Sequence, residues 1–356
     1  MMARSTLIAL IGSASILLNA CSPANEGTSH SDSIALSVSK QVNVYSYRKE
    51  ALIKPVLDQF SAQTGIQVNL VTGKADALFT RLQAEGQDSP ADILVTTDAG
   101  RLHRAKAAGL LQSIKSDTLV GRIPAHLRDP DNQWFGLSSR ARVVFYNKEK
   151  VDVNELSSYE DLAHEKWHGR ICIRSSNNIY NQSLMASLIA HNGAEKALGW
   201  AKGVVANMAR APKGNDRGQM SGAAIGECDI AIANTYYFGK WLASKDSQDQ
   251  EYASKVAAFY PNQSGRGAHI NVSGAGVVKH SKNKANAIQL LEFLANDDSQ
   301  AFYAQVNHEY PVVEGSPVSD IVKSWGYPFK ADPLNLDTLG QLNADAVKLF
   351  DLAGWQ

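Results

Sequence analysis

Three tyrosines are the residues in this sequence whose type and spacing could do chemistry: Tyr180, which closes the run Ser175-Ser176-Asn177-Asn178-Ile179, and the adjacent Tyr236 and Tyr237 after Asn234-Thr235. A Tyr-Tyr pair alone says little. Twelve tyrosines in 356 residues give about 0.4 such pairs by chance, and two aromatic rings packing on opposite faces of a segment would explain one. The spacing says more, because Tyr180 follows Cys172 by eight residues and Tyr236 follows Cys228 by eight. Each tyrosine stands among Asn, Ser and Thr, a setting that suits a wet cleft better than a core. A free phenol, with a pKa near ~10, is neutral at physiological pH. It becomes a ligand only for a cation that polarises it enough to release the proton. Three phenolates balance a trivalent charge, so the chemistry indicated is ferric iron. Zinc or copper would draw His and Cys ligands, which these segments do not supply.

Other motifs compete for attention. His164-Glu165-Lys166-Trp167-His168 matches the H-E-x-x-H zinc-protease pattern. That chemistry needs both histidines on one face of a long helix, whereas Gly169 follows at once and a strand is expected by Ile171. A zinc hydrolase is therefore a remote alternative. Gly265-Arg266-Gly267 and Gly274-Ala275-Gly276 lack the Walker lysine and a complete G-x-G-x-x-G. No G-x-S-x-G elbow and no C-x-x-C occur, and no nucleophile has an evident base, so no enzymatic activity is expected.

The elements that must position the tyrosines alternate between strand and helix. A strand is expected over Gln41–Tyr47. A helix follows, with Leu52, Ile53, Val56, Leu57 and Phe60 on one face, and Gly65 stops it. Next come a strand over Ile66–Val71, a helix containing Ala77, Leu78 and Leu82, and strands over Asp92–Thr96, Arg142–Tyr146, Arg170–Arg174 and Asp229–Ala233. From Asn286 the pattern is mainly helical. Such alternation predicts an α/β fold with a parallel sheet, in which ligands bind beyond the carboxyl ends of the strands. Three of those ends are polar and tyrosine-bearing: Tyr45-Ser46-Tyr47-Arg48, the stretch to Tyr180, and the stretch to Tyr237. If the strands of Cys172 and Cys228 are neighbours, the cysteines and the tyrosines come together. In an oxidising compartment the two cysteines are either a disulfide or two buried free thiols.

Residues 1–20 carry Arg4 and an apolar run from Leu7 to Leu18, the pattern of a signal peptide. The run ends on Leu18-Asn19-Ala20-Cys21, which resembles a bacterial lipobox. Cys21 is accordingly expected to carry a lipid anchor, with residues 21–40 a flexible tether rich in Ser, Asn, Gly and Thr. Export to the periplasm or cell envelope follows. With 35 Lys+Arg against 35 Asp+Glu there is no net field to attract nucleic acid. The remaining ~315 residues suffice for two lobes.

The runs YSYRKEALIKPVL, TGKADAL, SSRARVVFYNK, CIRSSNNIYNQSL and CDIAIANTYYFGK resemble the periplasmic ferric-binding proteins of iron ABC importers, over Gln41 to Gln356. The resemblance implies a two-lobed type II periplasmic-binding-protein fold, each lobe a mixed, mainly parallel sheet with flanking helices, the ligand cleft lying between them. The lobes would comprise 41–139 plus 265–310 and 140–264 plus 311–356, with crossings near Ser139, Ser264 and Pro311. It also implies a monomer that binds Fe3+ through Tyr180, Tyr236 and Tyr237 and delivers it to an inner-membrane permease and its ATPase. One departure stands out: relatives place a His or a His-Tyr pair after the first strand, where this chain has Lys49 and Glu50. A synergistic anion such as carbonate is then expected to fill the shell, held by Arg48 and Arg142, with Arg140 a weaker candidate. The bland reading of Arg142 is a salt bridge at the lobe boundary. Tyr47 is expected to line the cleft, and Glu50 to occupy a helix N-terminus. The rival within the fold is a binding protein for an organic or phosphonate-like anion.

Overall fold

The computed structural model describes residues 40–356. The expected signal peptide, Cys21 and the tether as far as residue 39 lie outside the described residues.

Among the described residues, eight strands carry the framework: β1 (Gln41–Ser46), β2 (Gln67–Thr72), β3 (Ile93–Thr97), β4 (Phe135–Asn147), β5 (Ile171–Cys172), β6 (Ile230–Asn234), β7 (Val256–Phe259) and β8 (Ile270–Val277). Their order is β2-β1-β3-β8-β4-β6-β5, with β7 also paired to β4. The first βαβ unit follows directly from the sequence. The helix Glu50–Thr64 buries Ile53, Val56, Leu57 and Phe60 and ends at Gly65, whose φ of 70° is left-handed and suits glycine. The chain then returns as β2, parallel to β1.

Parallel pairing holds for β1–β2, β1–β3 and β5–β6. The pairs β3–β8, β8–β4, β4–β6 and β4–β7 are antiparallel. The sheet is thus mixed, with more antiparallel contact than strand-helix alternation suggests. Alternation reports only on consecutive βαβ units, and β8 enters between β3 and β4 from far along the chain.

β4 is the longest strand, at 13 residues, and it changes neighbours midway. Residues up to Ala141 pair with β8, whereas Arg142 to Tyr146 pair with β6. Ser139 is also bridged to Tyr310. β5 shrinks to two residues, but the disulfide between Cys172 and Cys228, with Cα atoms 5.8 Å apart, ties it to the approach of β6. By chain entropy, a link across that 56-residue separation is worth about 4 kcal/mol. No helix among the described residues is long and apolar enough to cross a membrane.

Candidate metal centre

Tyr180 sits in the first turn of the helix Ile179–Asn192, whose N-cap Asn178 accepts a hydrogen bond from the Tyr180 amide at 3.0 Å. The preceding polar loop is pinned from within, since Asn181 Nδ2 donates to the carbonyls of Arg174 and Ser175 at 2.7 and 3.1 Å. Asn and Ser in this run therefore serve the local turn as well as the cleft. On the other side, β6 ends in Asn234, whose amide donates to Asp216 at 3.0 Å, and the helix Tyr236–Leu242 begins two residues on. Phe238 packs on Phe145 at 5.4 Å between centroids and Trp241 is buried. Burying that face leaves Tyr236 and Tyr237 half-buried.

The three rings converge. Tyr236 Oη donates to Tyr180 Oη at 3.5 Å, and the rings of Tyr236 and Tyr237 lie 4.3 Å apart. Burial pushes the Tyr236 phenol well above its ordinary value, and the neighbouring Tyr180 and Tyr237 add to it, against the opposing charge of Arg140. Tyr237 is raised too, first by burial, then by Asp216 and Tyr180. Without a cation these phenols are neutral. The Tyr180 and Tyr236 oxygens, 3.5 Å apart, could both face a cation that takes hard oxygen ligands.

Among the arginines, Arg48 and Arg142 are bound to carboxylates, and Arg140 stands farther from one. Arg48 is buried and gives both terminal nitrogens to Glu309 at 3.0 Å, and Ser138 Oγ also donates to that carboxylate. Arg142 is likewise committed: its partners are Asp216 at 2.9 Å and Asn181 at 2.6 Å, so it is the salt bridge. Neither offers a free fork to an anion in this state, because each already neutralises a buried carboxylate. Arg140 makes no hydrogen bond to a carboxylate, although Nε of Arg48 and Nε of Arg142 also lack a hydrogen-bond partner. Arg140 Nη1 reaches Ser273 at 3.3 Å, Asp98 is 3.9 Å from Nη2, Nη2 has no hydrogen-bond partner, and the guanidinium lies 5.5 Å from the Tyr180 ring centre.

A cavity of about 260 Å3 opens beside Tyr236 and Tyr237, walled also by Tyr47, Arg48, Lys49, Thr97, Lys240 and Glu309. Tyr47 is one wall of this cavity, with Arg101 over its ring at 4.9 Å. Glu50 is exposed and opens the helix Glu50–Thr64. Residues 165–167 form only a short 3-10 turn, flanked by extended His164 and non-helical His168, so the two histidines never share a helix face. The turn serves to bury Trp167. Among the described residues, no group of three or more His, Cys, Asp and Glu side chains could hold a metal ion.

Sequence reasoning missed Asp98, Asp216, Lys240 and Glu309. Asp98 is buried at φ 85°, rare for a residue with a side chain. It accepts from Ser183 at 2.7 Å, Gly100 at 2.9 Å and Asn271 at 2.9 Å. The only local signal for it was an acidic residue directly after a strand.

Residues 56–330 match the family of bacterial extracellular solute-binding proteins. Iron uptake protein A1 of Synechocystis is 49% identical over 317 residues, 89% of this chain and 88% of that protein. A Trichodesmium structure, named IdiA and FutA and in complex with iron and citrate ligands, is 51% identical and superposes with a TM-score of 0.87 over 89% of this chain and 100% of that one. Apo FutA2 from Synechocystis is 44% identical, with a TM-score of 0.85 over 89% of this chain and 100% of that chain. On matched residues, sequence identity and superposition together, the chain belongs to the bacterial extracellular solute-binding protein family.

Proposed function

We propose that this protein captures ferric iron outside the cytoplasm through the phenolates of Tyr180, Tyr236 and Tyr237 and hands it to an ABC importer, performing no catalysis. The observation that carries the reading is the convergence of the three phenols, with the Tyr236 and Tyr180 oxygens 3.5 Å apart. The similarity to the Synechocystis iron uptake protein and the iron-bound Trichodesmium structure supports it. Arg140, whose Nη2 has no hydrogen-bond partner and only the distant Asp98 carboxylate at 3.9 Å, is the first choice to hold a synergistic anion such as carbonate, by a charge-assisted bond. Arg48 and Arg142 take the supporting role of holding the cleft's carboxylates.

The reading includes two lobes, 41–139 plus 265–310 and 140–264 plus 311–356, closing over the iron, with β4 changing allegiance between Ala141 and Arg142. Closure would exclude water and mark the loaded state for the permease. It also includes export by the N-terminal segment, a lipid on Cys21 and a monomeric state. The convergence of phenols favours a hard metal over an organic or phosphonate-like anion, which would be met chiefly by Arg, Ser and Thr.

The test is optical. Ferric iron added with bicarbonate to the mature protein should give a visible phenolate-to-iron charge-transfer band. Tyr236→Phe or Tyr237→Phe should shift and weaken it. A colourless protein that retains no ferric iron overturns the reading, and an unchanged band in both variants overturns the ligand assignment.

A further inference from the structure

The phenols that converge come from two separate helix starts, and the sheet does little to hold those starts together. β5 pairs with β6 only through Ile171 with Ile230 and Cys172 with Ala231. Tyr180 lies eight residues past Cys172, and the run 173–178 between them is loop and turn. A loop of that length does not by itself fix the separation of two phenol oxygens.

A closed ring of buried hydrogen bonds spans the gap instead. Asp216 opens the helix Asp216–Ala224 and is fully buried. Its Oδ2 accepts from the Asn234 amide at 3.0 Å and from Arg142 Nη1 at 2.9 Å. Arg142 Nη2 then donates to Asn181 Oδ1 at 2.6 Å. Asn234 stands two residues before Tyr236, and Asn181 one residue after Tyr180. The return path runs through Arg174, whose Nη1 donates to Asp216 Oδ1 at 3.3 Å and whose carbonyl accepts from Asn181 Nδ2 at 2.7 Å. The Arg174 guanidinium also lies 5.9 Å from the Tyr180 ring centre.

The residue types fit a spacer. A carboxylate accepts on two oxygens, a primary amide both donates and accepts, and a guanidinium holds its donors in a rigid planar fork. Asp216, Asn181 and Arg142 each use both ends, and the ends land on different segments of chain. A buried ion pair is by itself a weak source of stability, since apolar residues of similar volume often do as well. Stability therefore does not require that such a ring end within two residues of two of the three phenols. Orienting the groups that hold a metal does require it.

We infer that Asp216, Arg142 and Asn181 are positioning residues: they set the separation of the Tyr180 phenol from the Tyr236 and Tyr237 pair before iron arrives, and touch neither the iron nor its anion. The inference rests on the ferric-ion reading above.

The experiment compares Asn181→Ala with Asn207→Ala in the mature protein. Asn207 is a control of the same kind, a buried asparagine outside the ring whose Nδ2 donates to the carbonyls of Leu162 and His164 at 2.9 and 2.7 Å. Three quantities are read: ferric affinity by chelator competition, the phenolate-to-iron band, and the melting temperature of the iron-free protein. In Asn181→Ala the affinity should fall about tenfold to a hundredfold and the band should move, at a temperature where the iron-free variant is folded. Asn207→Ala should lower the melting temperature and leave affinity and band unchanged. Arg142→Lys keeps the charge but loses the fork, so it should reproduce Asn181→Ala. A natural band in Arg142→Lys overturns the spacer and reduces Arg142 to charge balance. Natural affinity and band in Asn181→Ala, or an equal change in Asn207→Ala, overturn the inference and leave the ferric reading standing. A natural protein that binds no ferric iron overturns the ferric reading itself. Where the variants do not fold, the natural protein still decides. With ring-labelled tyrosine, nuclear Overhauser contacts between the Tyr180 and Tyr236 rings should persist without iron, and their absence overturns the inference.

Discussion

Tyr236 and Tyr237 are held in the neutral form chiefly by burial, Tyr236 also by Tyr180 and Tyr237, and Tyr237 also by Asp216 and Tyr180, so a phenol that ligates iron must give up its proton on binding. The sign follows directly. Both groups are raised, both are protonated throughout the physiological range, and protons therefore compete with iron at every pH below the phenol values. Apparent affinity should rise with pH, by up to tenfold per pH unit for each ligating phenol. Titrating the protein with ferric iron in weakly buffered solution should release about three protons from the phenols. Tyr237→Phe should lower that count by about one, and an unchanged count would remove Tyr237 from the ligand set. The tyrosines were legible in the sequence because a strand end followed by polar residues is a local pattern. The state of the arginines was not. Glu309 lies 261 residues from Arg48 and Asp216 lies 74 from Arg142, and no local pattern says which guanidinium a distant carboxylate will claim.

At the scale of elements, the helix Tyr236–Leu242 is placed by how closely it approaches the segment behind it. A Cβ on Gly239 would lie 2.5 Å from the Trp325 ring and 2.6 Å from His308 Cβ, closer than real contacts come. His308 itself is at φ 57°, and the next residues carry Glu309 to Arg48 and Tyr310 to the bridge with Ser139. Gly239→Ala must push the helix away and carry Tyr236 and Tyr237 with it. The expected cost is about 1–3 kcal/mol of stability, read by denaturant unfolding, together with a displaced charge-transfer band. A variant with natural stability and an unmoved band would show that the helix is not located by this contact. The same scale explains what the periodicity saw and missed. The amphipathic helix Glu50–Thr64 was legible because four apolar residues repeat at helical spacing. The first half of β4, Phe135 to Ala141, was not. It is polar in part, with Ser138, Ser139 and Arg140, yet all of it is buried, so the usual alternation of apolar and polar residues is absent. Ser138 and Arg140 Nη1 find their partners in residues remote in sequence, Glu309 and Ser273, while Arg140 Nη2 has no hydrogen-bond partner.

For the molecule as a whole, polar contacts join the two proposed lobes beside apolar ones such as Tyr310 against Tyr327 and Phe329. Asp98 meets Ser183, one helical turn beyond Tyr180, at 2.7 Å, and His103 meets Asp337 at 2.8 Å. A Cβ on Gly340 would come within 2.2 Å of His103. If the lobes separate when iron leaves, these contacts belong to the closed form alone, and Asp98 holds a strained φ of 85° that a single hydroxyl across the cleft helps to satisfy. Ser183→Ala then removes a hydrogen bond to a buried carboxylate only where the lobes are shut, a loss of about 1–3 kcal/mol. Iron affinity should fall by about tenfold to a hundredfold, mainly through faster release, while the melting temperature of the iron-free protein stays close to the natural value. Were the two segments joined in every state, the same substitution would lower the iron-free melting temperature and leave iron release nearly unchanged. Measuring both quantities on one variant therefore separates a closing device from a fixed structural contact, and a fixed contact would remove lobe closure at Asp98 from the mechanism.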